Sequence, residues 1–188
     1  MNVDRKIIED CIAGKRRAQN KLYNSLSGVM LGLCMRYSKN LAEAEDILQE
    51  GFIKVFTHIK KIKDYSALEG WIRRIMINTA ITYIKKNKVY FEALNETEIP
   101  EQDAEDDVFY PVDPEILLEI IQQLPEGYRM VLNLYVFEGY SHKEIAELLS
   151  ISENTSKTQL FKARRNIRTT LESKNLVTKK PVKNEKRV

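Results

Sequence analysis

Helical periodicity is the feature that most constrains this chain. In the 188-residue sequence, apolar side chains recur at intervals of three and four residues both before residue 87 and after residue 114. This spacing puts them on one face of an α-helix, whereas a half-buried strand alternates at every second residue. An amphipathic helix needs another element to cover its apolar face. The sequence therefore predicts an all-α protein with two groups of packed helices.

Polar residues mark where several of these helices begin. In a capping box, an N-cap oxygen and a Glu or Gln side chain three residues later exchange hydrogen bonds with the backbone. Three pairs have this spacing: Asn40 with Glu43, Ser66 with Glu69, and Ser141 with Glu144. Asp113 before Pro114 predicts a further helix start, because proline fits the first helical position. Ser152 is the predicted N-cap of a long basic helix that begins at Glu153.

Charge divides the chain into three parts. Residues 1–86 carry 16 Lys/Arg against 9 Asp/Glu, residues 87–114 carry 1 against 9, and residues 115–188 carry 13 against 9. The acidic middle part has no periodicity and contains three of the five prolines, so it is predicted to be a flexible linker. A metal-binding loop is the alternative, but the D-x-[DN]-x-[DN]-G calcium pattern is missing. The basic parts suggest a polyanion partner, although solvated helix faces explain the charge equally well.

Several function classes are disfavoured. No apolar run approaches the roughly 20 residues of a membrane span, and the first residues lead into no secretory apolar region. Cys11, Cys34, His58 and His142 are isolated, so neither a disulfide scaffold nor a metal site is expected. No nucleophile–base pair or Gly-rich phosphate loop is present either. We therefore expect a cytoplasmic protein without metal, cofactor or small-molecule substrate, and an enzyme is the least favoured class.

The segment from Ser141 to Ala163 has the layout of a helix-turn-helix. A short helix, a three-residue turn and a second helix follow one another, with the small Ala146 at the predicted crossing point. The second helix carries amides, hydroxyls and amines suited to base edges and phosphates. A helical hairpin with a polar face is the alternative, and spacing alone does not decide between them.

Longer motifs in both helical parts resemble one family. Residues 124–134 (LPEGYRMVLNL), 138–147 (EGYSHKEIAE), 154–157 (NTSK) and 162–164 (KAR) resemble region 4 of sigma-70 family transcription initiation factors. Residues 44–56 (AEDILQEGFIKVF) resemble region 2.2, and residues 71–75 (WIRRI) with 78–80 (NTA) resemble regions 2.3 and 2.4. Two such domains joined by a short linker, in this order, are typical of the extracytoplasmic-function (ECF) subfamily.

The resemblance implies a promoter-directing initiation factor without catalytic activity of its own. It implies region 2 in residues 1–86, an acidic linker in 87–114, region 4 in 115–173, and a basic disordered tail in 174–188. The implied partners are RNA polymerase core, through its clamp-helix coiled coil and its flap, promoter DNA, and an anti-sigma factor that holds the chain at the membrane without insertion. The runner-up is a helix-turn-helix regulator whose N-terminal helices dimerise or sense a ligand.

The resemblance also assigns roles to individual residues. Asp46, Gln49 and Glu50, which share one helix face, are expected to bind core polymerase; the alternatives are a solvated face, or a paired-carboxylate enzyme site that lacks a second cluster. The expected −10 DNA residues are Arg73, Arg74, Asn78, Thr79, Thr82 and Lys85. The expected −35 DNA residues are Asn154, Thr155, Lys157, Thr158, Phe161, Lys162 and Arg164. For Asn78 the alternative is a surface amide, and for Trp71 core packing is favoured over a base contact.

A few positions depart from the family pattern. Ser156 stands where the family usually has a buried valine, so looser packing of the recognition helix is expected. Asn154 replaces a common glycine, and Gln159 and Lys162 replace common arginines. These departures leave the −35 sequence preference open, but not the DNA-binding role.

Overall fold

The computed structural model describes residues 4–86 and 112–176, and within these ranges every regular element is helical. The first range contains α1 (Arg5–Ile12), α2 (Arg16–Tyr37), α3 (Leu41–His58) and α4 (Leu68–Lys86), with short 3-10 turns at Ile59–Lys61 and Tyr65–Ala67. The second contains α5 (Pro114–Gln123), α6 (Glu126–Leu132), a π-helical segment (Asn133–Phe137), α7 (His142–Leu149) and α8 (Glu153–Ser173). Nearly all of the predicted acidic linker and basic tail lies outside the described residues.

The helices α1 to α4 form a bundle around α2. Helix α2 packs against α1, α3 and α4, and its apolar stripe, which includes Leu22, Leu26 and Met30, is fully buried. Helices α3 and α4 approach each other closely at Gly51, where an added Cβ would overlap the Met76 sulfur. This packing fixes α3 beside α4 and leaves the opposite side of each helix in solvent.

Most of the predicted helix starts are confirmed. The Asn40 side chain accepts a hydrogen bond from the Glu43 amide at 2.9 Å, and the Asp113 carboxylate caps α5 with Pro114 in the first position. Ser141 and Glu144 form a complete capping box at α7. Ser152 accepts from the Thr155 amide at 2.9 Å and begins α8.

The predicted capping box of Ser66 with Glu69 is wrong. Both the Ser66 amide and its hydroxyl donate to one carboxylate oxygen of Asp64, at 2.9 and 2.7 Å. A carboxylate is a stronger acceptor than a hydroxyl, so Asp64 caps a 3-10 turn and α4 begins two residues after Ser66. The same hydrogen bonds lower the pKa of Asp64.

The apolar spacing of Met130, Val131, Leu134 and Phe137 predicts one buried stripe, but in the structure this stripe changes direction. Phe137 is 39% exposed, although Met130, Val131 and Leu134 of the same stripe are buried. A π-helical turn holds more residues than an α-helical turn. The segment Asn133–Phe137 therefore rotates its last side chains away from the core.

The two groups of helices meet at the C-terminal end of α2. The last carbonyl groups of a helix have no partner within it and need one from elsewhere. Here side chains of the second group supply the donors at about 3 Å: Gln122 to the Met35 carbonyl, Asn133 to the Arg36 carbonyl, and Arg129 to the Tyr37 carbonyl. The end of α2 is therefore capped by residues roughly a hundred positions later in the chain.

Candidate nucleic-acid interface

The predicted acidic face of α3 points to solvent. Asp46 and Gln49 are exposed and Glu50 is half-buried, whereas Ile47 and Leu48 between them are buried. Asp46 accepts a hydrogen bond from the Tyr83 hydroxyl at 3.2 Å. Glu50 pairs with Lys54 at 2.8 Å, and this hydrogen bond lowers the pKa of Glu50. The structure thus brings the three predicted core-binding residues together on one side of the helix.

An open cavity of about 330 Å³ lies between α3 and α4. Its lining combines aromatic and aliphatic side chains with amide, hydroxyl, imidazole and ammonium groups: Lys54, His58, Lys61, Trp71, Ile75, Asn78, Thr79 and Thr82. Apolar walls with a few polar groups are typical of small-ligand sites. The cavity therefore offers stacking, hydrogen bonding and positive charge in one place.

Three of the six predicted −10 residues line the cavity. Asn78 and Thr82 are exposed at its surface, whereas Thr79 is 1% exposed and its hydroxyl accepts from Lys54 at 3.2 Å. The Thr82 hydroxyl donates to the Asn78 carbonyl at 2.8 Å. Of this group, Asn78 keeps its side-chain amide at the cavity surface.

The other three predicted −10 residues lie outside the cavity lining. Arg74 is exposed on α4. Arg73 is half-buried and forms an ion pair with Glu138 of the second helix group. Lys85 donates to the Leu148 carbonyl at 3.3 Å. In this arrangement of the helices, both Arg73 and Lys85 are engaged by the second group.

Three residues of the cavity with cationic or titratable side chains were not predicted as site residues. Lys54 and His58 follow Glu50 at intervals of four on α3, and Lys61 follows in the next turn. Residues four apart share a helix face. That spacing was a usable signal, because it extends the polar side of α3 toward the start of α4.

The second helix of the predicted helix-turn-helix presents a polar face. Ala146 is buried where α7 meets α8, and Ser150 adopts a left-handed conformation (φ 61°) in the turn between them. On α8 the exposed predicted residues are Asn154, Lys157 and Arg164, and the half-buried ones are Thr155, Thr158, Phe161 and Lys162. The Thr155 hydroxyl shares a hydrogen bond of 2.8 Å with the cap residue Ser152.

Two of the departures from the family pattern are interior positions. Ser156 is fully buried, and its hydroxyl shares a hydrogen bond of 2.9 Å with Nδ1 of His142, whose ring stacks on Tyr135. Burial lowers the pKa of His142, and the nearby Lys157 adds to the effect. Gln159 is also buried, against Gly127, where an added Cβ would stand 3.1 Å from its Nε2. Ser156 therefore links α8 to α7, and Gln159 packs α8 against α6.

The described residues contain no cluster of metal ligands, and the two cysteines among them are buried. Within residues 4–86 and 112–176, no group of three or more His, Cys, Asp or Glu side chains is arranged to hold a metal ion. Burial raises the pKa of Cys11 to about 11 and that of Cys34 to about 12. None of the helices in these ranges combines the length and the apolarity that crossing a bilayer requires.

Comparisons with known proteins match both helix groups. Residues 22–89 match the protein-family model of sigma-70 region 2, and residues 115–167 match that of sigma-70, region 4. The chain is 31% identical over 178 residues to the RNA polymerase sigma-H factor of Pseudomonas aeruginosa, covering 86% of this chain and 90% of that protein. It is 31% identical over 144 residues to the ECF RNA polymerase sigma factor SigM of Bacillus subtilis, covering 72% and 83%. Among solved structures, it is similar to the sigma factor RpoE of Bartonella quintana, determined in complex with the anti-sigma factor NepR, with a TM-score of 0.51 and 16% identity over 81% of this chain and 96% of that chain.

Proposed function

This chain belongs to the ECF subfamily of sigma-70 RNA polymerase sigma factors, and we propose how three of its surfaces divide the work of promoter recognition. As a sigma factor it is a DNA-binding initiation factor that directs RNA polymerase to promoters. The rival interpretation, a helix-turn-helix regulator with a sensing N-terminal domain, is not favoured, because residues 22–89 match sigma region 2. We expect no catalytic activity of its own.

The acidic face of α3 is the proposed docking surface for the clamp-helix coiled coil of core polymerase. Asp46, Gln49 and Glu50 offer two carboxylates and an amide on a helix whose other side is fixed in the bundle. Because the helix is already ordered, its charged groups can bind a complementary surface without the entropy cost of ordering a loop. We also expect region 4 to contact the flap of the polymerase.

The cavity between α3 and α4 is the proposed site for one unstacked base of the −10 element. Capture of an extruded base requires stacking surfaces and hydrogen bonds to its edge. Trp71 packs partly against the core but is only half-buried, so its ring at the cavity wall, together with Ile75, offers the former. The Asn78 amide offers both a donor and an acceptor. Lys54 and Lys61 add charge for the adjoining phosphates. Holding the base out of the duplex stabilises the open state, so melting follows from differential binding.

The polar face of α8 is the proposed reader of duplex −35 DNA. Its first turns combine the Asn154 amide with the Lys157 ammonium group, and Arg164 lies farther along the helix. In a helix-turn-helix, N-terminal residues of the second helix reach base edges while neighbouring cations contact phosphates. We propose this division between the N-terminal and C-terminal parts of the face.

A regulatory partner and a location complete the proposal. The relative of known structure from Bartonella quintana is bound to an anti-sigma factor. We expect an anti-sigma factor for this chain as well, and we expect the chain to act in the cytoplasm, where RNA polymerase and promoter DNA are found. An anti-sigma factor anchored in the membrane would hold it there without insertion.

The exposed acidic face of α3 is the observation that carries the proposal, and core docking tests it. Asp46→Lys and Glu50→Lys reverse the charge of this face, so copurification with core polymerase is expected to fall more than tenfold. Glu69→Lys is the matched control, because this exposed residue makes the same charge change on a different helix, α4. Circular dichroism checks that all variants keep their helices. Undiminished copurification of the two variants would contradict the docking assignment.

A further inference from the structure

His142 is the first residue of α7, and contacts on two sides fix its ring. Nδ1 lies 2.9 Å from the hydroxyl of Ser156, a fully buried residue of α8. The ring also stacks on Tyr135, with the two ring centroids 4.6 Å apart and 22° between the planes. The side chain is half-buried, so solvent still reaches part of it. With Nδ1 held by Ser156, Nε2 is the ring nitrogen left for a ligand.

The charged residues around this ring come from α7 and α8: Lys143, Glu144, Glu153, Lys157 and Arg164. Glu144 is engaged in the capping box of α7. Burial is the main reason that the pKa of His142 lies below its ordinary value; Lys157 and Arg164 lower it further, and Glu153 opposes them. The ring is therefore mostly neutral in the free chain at neutral pH.

The place of His142 in the helix-turn-helix favours a phosphate as its ligand. In this motif the second helix lies in the major groove, while the first crosses the sugar-phosphate backbone. His142 begins the first helix and contacts the second, so it lies where the two meet. Lys157, a proposed −35 residue, is close enough to lower the pKa of His142. A phosphate bound at Lys157 therefore acts on the same ring with the opposite sign, because it favours a positive charge there.

The Ser156 hydroxyl can serve both charge states of the ring, since a hydroxyl is both a donor and an acceptor. It donates to Nδ1 of a neutral ring that carries its proton on Nε2, and it accepts from Nδ1–H of a protonated ring. Valine, the residue that the family usually has here, leaves that N–H group without a partner. An unpartnered buried N–H group is costly, so serine makes protonation of the ring easier than valine does.

We infer that His142 is a further phosphate contact of the −35 duplex, that its ring takes up a proton when the duplex binds, and that Ser156 positions the ring in both charge states. The inference rests on the proposed −35 role of α8. Bound phosphate makes the pKa of His142 higher in the complex than in the free chain. Affinity for duplex DNA therefore rises as the pH falls through the pKa of the complex, and it levels off below the pKa of the free chain.

Duplex affinity of the full-length chain between about pH 8 and about pH 5.5, the range in which histidine titrates, tests this inference. The probe is a rhodamine-labelled duplex of mixed sequence, because phosphate contacts do not depend on sequence. His142→Asn is the matched variant, since its amide replaces Nδ1 but does not titrate. Over this range the unaltered chain is expected to gain about three- to tenfold more affinity than His142→Asn. Equal pH dependence of the two would overturn the inference.

The salt dependence of binding identifies the phosphate contact itself. Toward the lower pH, the slope of log affinity against log salt is expected to steepen by about 0.9 in the unaltered chain, the value for one more neutralised phosphate of a duplex. In His142→Asn it should not steepen. A slope that changes equally in both chains would overturn the phosphate assignment.

Two substitutions of Ser156 test its positioning role. Ser156→Thr and Ser156→Val have nearly the same shape, but threonine alone keeps the hydroxyl. Ser156→Thr is expected to retain the gain in affinity at lower pH, and Ser156→Val to reduce it to less than about twofold. A merely structural role would alter thermal stability but give both variants the same pH profile, and that result would overturn the positioning role.

NMR of the unaltered chain provides an independent measurement. The Cε1–H signal reports the pKa of His142 directly, and His142→Asn identifies this signal among the two histidines of the sequence. A saturating amount of duplex is expected to raise this pKa by about half to one pH unit, and an unchanged value would overturn the inference. Lys157→Ala is measured in parallel. If it weakens duplex binding while the pKa of His142 stays unchanged, the inference alone has failed; if it binds like the unaltered chain, the proposed −35 role has failed.

Discussion

At the scale of single residues, Asn78 has the most specific proposed task. Its amide is exposed at the cavity, while its own carbonyl accepts from the Thr82 hydroxyl and so keeps the local backbone in place. Asn78→Ala removes both a donor and an acceptor for a captured base. Loss of one or two such bonds costs about 1–3 kcal/mol, so we expect about five- to 150-fold less open complex.

Permanganate footprinting of thymines around −10 measures this loss. Core copurification and duplex binding of Asn78→Ala should remain close to those of the unaltered chain, since neither the α3 face nor α8 is touched. A template already unpaired at −10 should recover part of the reactivity, because unpairing no longer depends on the amide. Full reactivity on the duplex template would identify Asn78 as a surface amide only.

Individual side chains also show where sequence analysis stops. The sequence identified Ser156 as unusual but predicted looser packing, because its hydrogen-bond partner His142 is 14 residues away on another helix. The same holds for Gln159, which replaces a common arginine of the family yet packs against Gly127. The sequence shows whether a side chain is polar. Which residue it contacts or hydrogen-bonds in the fold depends on how two helices cross.

At the scale of elements, α8 carries the proposed −35 contacts. Lys157 is exposed and Lys162 half-buried on its polar side. Lys157→Ala and Lys162→Ala are each expected to weaken binding to a mixed-sequence duplex and to lower the salt slope by about 0.9 for every phosphate that the variant no longer neutralises. We expect the larger effect for Lys157, because this residue is the more exposed of the two.

A salt series by fluorescence anisotropy distinguishes a contact from a general charge effect. Lys63→Ala is the matched control, since it removes an exposed lysine from the first helix group. If both α8 variants kept the slope of the control, the proposed polar face would not be the DNA reader. A change in preference for one base position would add a base contact to the phosphate contact.

Four of the five predicted helix starts could be read from the local sequence. Asn40, Asp113, Ser141 and Ser152 each cap the expected helix, because cap chemistry involves only three or four consecutive residues. At Ser66 two candidate caps compete within the same turn, and the nearby carboxylate prevails. The departure at Phe137 had no sequence signal, since a π-helical segment retains apolar residues at helical spacing.

At the scale of the whole molecule, Arg129 links the two helix groups. It is 1% exposed, and it donates to the carbonyl groups of Tyr37, Gln122 and Leu124. Arg129→Met keeps the length of the side chain but leaves these carbonyls unpaired. Each unsatisfied buried group costs about 1–3 kcal/mol, so we expect the free energy of unfolding to fall by about 2 kcal/mol or more.

Calorimetry should also show whether the two helix groups unfold together. We expect one unfolding transition in the unaltered chain and two separate transitions in Arg129→Met, because one of the three side chains that cap the end of α2 is removed. Arg165→Met, an exposed change on α8, should stay within about 0.5 kcal/mol of the unaltered chain. A single transition at the original temperature in Arg129→Met would refute the linking role.

The packing between the helix groups was the part least accessible from sequence. Periodic apolar stripes predict that helices pack, and they predicted both groups correctly. The contact between the groups also involves polar side chains such as Asn133 and Glu138, which have no periodicity. Arg36 and Glu138 are 102 positions apart, so only the folded chain identifies them as a pair.

The capping of α2 by later residues has a consequence during synthesis of the chain. Arg129 lies 92 positions after Tyr37, whose carbonyl it caps. At roughly 5–20 residues per second, a ribosome needs about 5–18 s to make this stretch. Since N-terminal segments fold first, the first four helices have time to assemble while Arg129 and Glu138 are still untranslated. Every nascent chain thus passes through an interval in which Arg36 and Arg73 are uncovered, whatever the equilibrium of the finished protein.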